Sequence, residues 1–338
     1  MLLYVHNRNV LVLYMALIFV TRKIPEVGLR WMREGGHEVV VSDKDGVLTP
    51  DELTAALASR PYEGMVTLLT DTVGPEVLQA APNMKIIANY AVGYNNIAVK
   101  ELSKAGVTIT NTPGVLTDTV AEYATALILA VAKRIPEADR FTRAGKYQGW
   151  APELLLGSDL MGKTLGVIGA GRIGSGVAKR LSTGFGMRVI YNDVRPCEPM
   201  EADTGAEYRE HLDDLLREAD VVSVHVPLLP ETRHLINAER LGVMRSGAYL
   251  VNTSRGPVVD EAALVEALKS GTIRGAGLDV FEDEPALKTG LSELENVILT
   301  PHIASGSKET RGKMSELVAI NVNEFFLGRG VPNKVVVE

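Results

Sequence analysis

The chain reads as an α/β protein built on two parallel sheets. Three observations predict this. Short apolar runs alternate with helical stretches almost throughout, which is the pattern of βαβ units. At 338 residues the chain is too long for one compact core and suits two domains. One strand–helix junction carries a spaced glycine triplet, Gly169-Ala-Gly171-Arg-Ile-Gly174, directly after the apolar run Thr164-Leu-Gly-Val-Ile168.

The elements follow in order. Val10 to Val20 is apolar without a break, too short to span a bilayer. Arg8 ahead of it resembles the start of a secretory signal, but no Ala-x-Ala cleavage site follows. Ala16–Val20 therefore reads as the first buried strand, residues 1–14 as an appendage, and Met15 as an alternative start. Further strands are expected near Glu38–Val41, Met65–Leu69, Lys85–Ala88 and Val107–Thr110, where β-branched and apolar residues cluster. Helices Asp51–Ser59 and Asn96–Lys104 fall between them. Thr117–Arg134 opens on the capping candidates Thr117, Asp118 and Thr119 and is then rich in Ala and Leu. After Asp118, Glu122 is its only charge before Lys133, so the helix is expected to be buried, between domains or against a partner subunit. Gly145–Gly157, with Tyr147, Trp150 and Pro152, reads as an excursion loop. A second set of strands is expected near Thr164–Ile168, Arg188–Tyr191, Val221–Val226, Tyr249–Asn252, Gly277–Leu278 and Val297–Leu299. Lys308–Leu327 reads as an amphipathic helix with Leu317, Ile320 and Phe325 on or near one face.

The glycine triplet has a physical logic. Gly169 makes the tight turn, Gly171 lets the backbone approach a pyrophosphate, and Gly174 lets the helix pack close to the sheet. The helix N-terminus offers free N–H groups to the phosphates. Asp193 ends the next apolar run, where a carboxylate accepts the ribose hydroxyls and repels a 2′-phosphate. This favours NAD over NADP. Arg195 is either a softening cation or a solvated loop arginine.

Bulk properties exclude other classes. A formal charge of −7 with no basic stripe argues against nucleic acid as a partner. Nothing beyond the N-terminal run points to a membrane. The single cysteine, Cys197, cannot form an internal disulfide, which fits a reducing, cytoplasmic setting. With one cysteine and no His-x-x-x-His spacing, no metal site is expected.

Three ionisable residues stand just past predicted strands: Arg255, Glu284 and His302. Ligands of open α/β sheets bind outside the carboxyl ends of strands. A nicotinamide enzyme acting on a 2-oxo acid needs an arginine fork for the carboxylate, a histidine to protonate the carbonyl oxygen, and a carboxylate to orient that histidine. These three residues supply the set. Singly, each has a plain structural reading: a surface cation, a solvated acid, a capping histidine. His225 is a rival acid, but no arginine or glutamate partners it in the same pattern, so it reads as a structural or cofactor-lining residue.

Four blocks then carry a resemblance. They are Asn111–Glu122 (NTPGVLTDTVAE), Gly162–Gly174 (GKTLGVIGAGRIG), Val251–Glu261 (VNTSRGPVVDE), and Gly277–Pro285 (GLDVFEDEP) with Thr300-Pro-His-Ile303. The chain resembles the D-isomer-specific 2-hydroxyacid dehydrogenases along nearly all its length after Met15. The resemblance implies a Rossmann-type nucleotide domain, residues 112–302, inserted in a flavodoxin-like substrate domain formed by residues 15–111 and 303–338. It implies catalysis in a cleft that closes to exclude water. It places the catalytic arginine, glutamate and histidine on Arg255, Glu284 and His302, and a nicotinamide contact on Asp279. It assigns cofactor contacts to Thr117 or a close neighbour, Arg172, Ile173, Val226, Pro227, Thr232 and Thr253. The backbone loop for the substrate carboxylate falls on Ala91, Val92 and Gly93.

Within the family the chain is most similar to the glyoxylate and hydroxypyruvate reductases, on Leu68-Leu-Thr-Asp71, Val115-Leu-Thr-Asp-Thr119 and the 145–157 loop. That likeness implies that Leu69 overhangs the substrate. It also implies a homodimer formed through the nucleotide domain and the loop, with Trp150 either reaching the partner's active site or packing in the interface. Some relatives in this branch lack an acid at Asp193 and use NADP; the Ala304-Ser-Gly-Ser307 segment is a second departure. Formate and phosphite dehydrogenases are disfavoured by Glu284 and Val92. Glycerate, lactate or phosphoglycerate dehydrogenases, and an NAD-sensing corepressor, stay open as alternatives.

Overall fold

The computed structural model describes residues 14–336, together with the short antiparallel strands Val5–His6 (β1) and Asn9–Val10 (β2). The reading of residues 1–14 as an appendage therefore lies largely outside the described residues. Tyr14 departs from it. Its ring stacks on Phe326 with centroids 5.6 Å apart, its hydroxyl donates to Glu63, and Lys85 Nζ donates to that hydroxyl at 2.8 Å.

Two compact units are present, one formed by Met1–Leu116 with Ser307–Glu338, the other by Thr117–Gly306. The sequence placed the crossings a few residues earlier, at 111/112 and 302/303. In the first unit five parallel strands run in the order β4-β3-β5-β6-β7. They are Leu17–Val20 (β3), Glu38–Val41 (β4), Gly64–Thr67 (β5), Ile86–Asn89 (β6) and Thr108–Thr110 (β7). β3, β5 and β6 are buried along their whole length, so they carry apolar runs rather than an alternation, ended in β5 and β6 by the buried polar Thr67 and Asn89. The helix expected from Asn96 begins only at Val99. The Asn96 side chain instead donates to the Leu68 and Asp71 carbonyls, a local bond that competes with helix formation.

Helix Lys308–Phe326 forms as expected, but its buried face differs. Met314, Ser315, Val318, Ala319 and Val322 are buried, Leu317 is half-buried and Ile320 is exposed. The reason is a close crossing with helix Glu26–Glu34. A Cβ on Gly28 would stand 2.2 Å from the Ser315 carbonyl oxygen. Ser315 Oγ accepts the Gly28 N–H at 3.1 Å and donates to the Pro25 carbonyl at 2.7 Å. Small residues set this interface, and the larger side chains turn aside.

In the second unit seven parallel strands run in the order β10-β9-β8-β11-β12-β13-β14. They are Thr164–Ile168 (β8), Arg188–Asn192 (β9), Glu207–Tyr208 (β10), Val221–Val224 (β11), Tyr249–Asn252 (β12), Gly275–Leu278 (β13) and Val297–Leu299 (β14). The order reverses at β8, which places a switch point between β8 and β11. The edge strand β10 had no sequence signal beyond two residues. β13 begins two residues earlier than expected, because its small residues make room for a helix. A Cβ on Gly275 would lie 3.1 Å from the Val131 side chain, and one on Gly277 would lie 3.4 Å from Leu127.

That helix is Thr117–Ala132. Ala121, Ala124, Leu127, Ile128 and Val131 pack with Leu165, Val167 and Val251. Its apolar character is thus accounted for by the sheet of its own unit. The chain breaks at Arg134, whose φ is +55°, and resumes as helix Ile135–Arg143 with Pro136 in its first turn.

Candidate active site

β8 delivers the glycine triplet to the carboxyl edge of the seven-stranded sheet. Gly169 has a φ of +96°, and a Cβ there would stand 2.9 Å from the His225 carbonyl group. A Cβ on Gly174 would stand 2.1 Å from the Gly169 oxygen. Gly171 differs from both. Its φ is −70°, and no atom lies within 4 Å of where its Cβ would be. It caps helix Arg172–Phe185 without a side chain, so the amino end of that helix stays uncovered, with Arg172 and Ile173 in its first turn. Asp193 follows β9. Its Oδ2 accepts the Ala170 N–H at 2.7 Å and its Oδ1 accepts the Val194 N–H at 2.6 Å. A bare helix N-terminus, an open position at the second glycine and a carboxylate tied to the loop fit a dinucleotide.

The lining of this crevice follows β11. His225 hydrogen-bonds through Nε2 to Ser223 Oγ at 2.8 Å, and burial pushes its ring down to about 4. It is therefore a neutral ring at working pH. Val226 is half-buried and Pro227 exposed. The Thr232 hydroxyl is engaged locally: it donates to the Pro227 carbonyl at 2.7 Å and accepts the Leu229 N–H at 2.8 Å. Thr253 Oγ1 is buried and, among the described residues, has no hydrogen-bond partner. Thr117 is the half-buried first residue of its helix.

Three neighbouring strands of the same sheet bring the ionisable residues together. Arg255 follows β12, Glu284 follows β13 and His302 follows β14. His302 Nδ1 lies 2.9 Å from Glu284 Oε2, and Glu284 Oε1 accepts the Phe281 N–H at 3.0 Å. Burial pushes the Glu284 carboxyl up. The His302 hydrogen bond and charge, the Phe281 N–H and the Arg255 guanidinium outweigh this and hold it below the ordinary carboxylate value. Burial pulls the Arg255 guanidinium down, against the nearby Glu284 charge. Arg255 donates to the Ser254 carbonyl at 2.7 Å, and its own carbonyl accepts from Asn252 Nδ2 at 2.9 Å.

His302 has a φ of +53°, rare for a non-glycine residue. Asp279 secures that conformation. Its carbonyl accepts the His302 N–H at 2.9 Å, Oδ1 accepts from Thr300 Oγ1 and Ile303 N, and Oδ2 accepts the Ala304 N–H at 2.7 Å. Burial pushes this carboxyl up and the three donors pull it back. Sequence reasoning missed Asn252 and Thr300 as supports. The available signal for Asn252 was a polar residue ending an apolar strand.

The first unit carries its expected residues at the carboxyl ends of β5 and β6. Leu69 is half-buried in a turn that Asp71 fixes; Asp71 Oδ2 accepts from Thr21 Oγ1 at 2.5 Å, Thr67 Oγ1 at 2.9 Å and Leu68 N at 2.8 Å. The carbonyls of Ala91, Val92 and Gly93 accept from Thr112 N, Asn111 Nδ2 and Asn89 Nδ2. These carbonyls are thereby used inside the fold. Trp150, in the second unit, is 84% exposed. A cavity of about 270 Å³ lies at the amino-terminal edge of β12–β14, lined by Arg134, Arg140, Tyr249 and Arg274, at the opposite edge of that sheet from Arg255, Glu284 and His302. Among the described residues, no group of three or more His, Cys, Asp or Glu is placed to hold a metal ion, and no helix is long and apolar enough to cross a membrane.

Residues 125–304 match the model of the D-isomer specific 2-hydroxyacid dehydrogenase NAD-binding domain. The chain belongs to the D-isomer specific 2-hydroxyacid dehydrogenase family. It is 50% identical over 320 residues to a glyoxylate reductase of Korarchaeum cryptofilum, covering 94% of this chain and 95% of that one. A crystal structure of a Thermus thermophilus protein superposes with a TM-score of 0.88 at 43% identity, covering 95% of this chain and all of that one. An NADPH-dependent glyoxylate/hydroxypyruvate reductase of Sinorhizobium meliloti, solved with NADP and malonate, superposes with a TM-score of 0.82 at 35% identity, covering 95% and 97%. This dehydrogenase thus has the two-sheet α/β architecture of its family and an NAD-binding domain.

Proposed function

We propose that this dehydrogenase reduces glyoxylate or hydroxypyruvate to the 2-hydroxy acid with NADH, giving the D isomer where the product is chiral. The observation that supports it most is the His302–Glu284 pair beside Arg255, on the sheet edge that carries the glycine triplet. When bound, the nicotinamide supplies the hydride to the carbonyl carbon. His302 gives its proton to the carbonyl oxygen, so the products are the hydroxy acid and NAD. Glu284 holds the imidazole in its orientation through the Nδ1 contact. Arg255 pairs with the substrate carboxylate and polarises the carbonyl through its planar fork.

The remaining roles carry over from the family. Gly169, Gly171, Arg172, Ile173 and Gly174 cradle the pyrophosphate, and Asp193 takes the ribose. Thr117, Val226, Pro227, Thr232, Thr253 and Asp279 line the coenzyme. Leu69 and the N–H side of Ala91–Gly93 meet the substrate. The chain works as a cytoplasmic homodimer, with the 145–157 loop and Trp150 in the interface. The names of the relatives support the substrate, and Asp193 supports NADH.

The test is a kcat/KM comparison of glyoxylate, hydroxypyruvate, pyruvate and 2-oxoisocaproate with each coenzyme. The reading requires the two small acids to lead with NADH. Preference for 2-oxoisocaproate would refute the substrate, since an added methylene is worth only about 1–3 kcal/mol of discrimination. A lead for NADPH would refute the coenzyme.

A further inference from the structure

Glu261 opens helix Glu261–Ser270 and is 1% exposed, yet none of the roles above uses it. Its Oε1 accepts the backbone N–H of Glu282. Glu282 is held at its other end as well. Its carboxylate accepts from His234 Nε2 at 2.8 Å and lies 3.5 Å from Arg233 and 3.7 Å from Lys288 Nζ. The neighbouring peptide is clamped from a third side. A Cβ on Gly256 would stand 1.9 Å from the Phe281 carbonyl carbon and 2.5 Å from Glu282 N, so the Arg255–Gly256 turn presses directly on the Phe281–Glu282 backbone. The N–H of that same Phe281 donates to Glu284 Oε1, and Glu284 Oε2 meets His302. An unbroken series of contacts thus runs from a buried carboxyl to the proton donor.

We propose that Glu261 is a positioning residue, which pins the Phe281–Glu282 peptide on the Arg255–Gly256 turn and so sets the Glu284–His302 geometry. This rests on the catalytic reading above. An N–H bond to a buried acceptor is a small device, but it holds the segment from which Glu284 hangs. A displacement of about 1 Å in a catalytic group can cost on the order of a hundredfold in rate. Burial pushes the Glu261 carboxyl up, the Glu282 N–H draws it down, and the Glu282 carboxylate pushes it up again. Glutamine at this position keeps an acceptor oxygen of the same reach for the Glu282 N–H.

The test compares E261A and E261Q in the full chain, with folding checked by circular dichroism. E261A is expected to lower kcat for glyoxylate by about tenfold or more, with the Kd for NADH unchanged. E261Q keeps an acceptor in place and recovers kcat. The charged groups facing Glu284 are His302 and Arg255. When Glu284 slackens away from them in E261A, its titration, followed by carbon-13 NMR, moves up toward the ordinary carboxylate range. The acid limb of the rate profile moves with it. Should E261A not fold, E261D carries the same test, because its carboxylate is one methylene too short.

A folded E261A or E261D with parental kcat and an unmoved Glu284 titration overturns the positioning role. So does an E261Q as slow as E261A. A parent inactive on every 2-oxo acid, but whose Glu284 titration still responds to E261A, would overturn the catalytic reading and leave the positioning intact.

Discussion

A hydrogen bond of 2.9 Å joins two residues eighteen apart in the chain, His302 and Glu284. His302→Ala removes the only proposed proton donor while leaving the glycine turn untouched. Reduction of glyoxylate should fall by at least about a hundredfold, with little change in NADH affinity by fluorescence. The pH dependence follows from Glu284. Its carboxyl lies below the ordinary value of 4.5, so Glu284 is ionised above that value and loses its charge as pH falls through the lowered one. On the acid side the rate of reduction should therefore hold down to the ordinary carboxylate value and drop only below it.

A second histidine acts on stability instead. His37 Nδ1 accepts the Ala16 N–H at 3.3 Å, its ring packs on Phe326, and burial lowers it below 6.5 against the pull of Glu63. The unfolded chain binds this proton more readily. Stability is therefore complete above pH 6.5 and declines as pH falls toward the lowered value. His37→Asn keeps an acceptor without a titration, and should flatten the slope of Tm between pH 7 and 5. An unchanged slope would remove His37 from that dependence. Arg255, Glu284 and His302 were legible in the sequence as a cluster because they stand just past neighbouring apolar strands. Their supports were not: Glu261 reads as an ordinary first-turn helix acid, and Thr300 as a loop hydroxyl.

At the scale of elements, the glycine turn separates folding from binding. Gly174→Ala drives a methyl to within 2.1 Å of the Gly169 oxygen. The turn or the helix must shift, and thermal unfolding should show a loss of about 1–3 kcal/mol. Gly171→Ala meets no atom and needs no unusual φ, so Tm should barely change. NADH binding should nevertheless weaken by about tenfold or more, because the methyl occupies the ground of the pyrophosphate. Equal effects of the two substitutions would contradict this division. The strands were readable to within a residue or two where they are apolar and β-branched. The sequence pattern shortens β13 because Gly275 and Ala276 carry no strand signal; Gly275 and Gly277 are small to admit Val131 and Leu127. The face of Lys308–Phe326 was misread for a similar reason, since Gly28 and Ser315 fix a crossing that no apolar stripe announces.

At the scale of the whole molecule, the sequence announced two sheets and a chain that leaves one unit for the other and returns. What it left open is association. The second unit exposes Ile135, Tyr147, Trp150, Leu156 and Met161 at 55%, 55%, 84%, 56% and 80%, all within residues 135–161. The segment is anchored rather than loose. Leu156 offers its carbonyl to Arg274 Nη2 at 3.0 Å, Lys133 pairs with Asp159, and the Ser158 N–H donates to Ala132 at 2.8 Å. An apolar loop held in place by its own unit is a surface prepared for a partner, and the proposed dimer supplies one. Tryptophan at an interface centre commonly contributes about 2–4 kcal/mol. Trp150→Ala should therefore weaken self-association by roughly thirtyfold or more, seen by sedimentation as a shift toward monomer at low concentration. The Tm should stay near the parental value at high concentration, because the side chain touches little within its own unit. If Trp150 also reaches the partner's substrate, kcat/KM will fall even where the dimer is saturated. If it serves packing alone, activity will follow the dimer fraction.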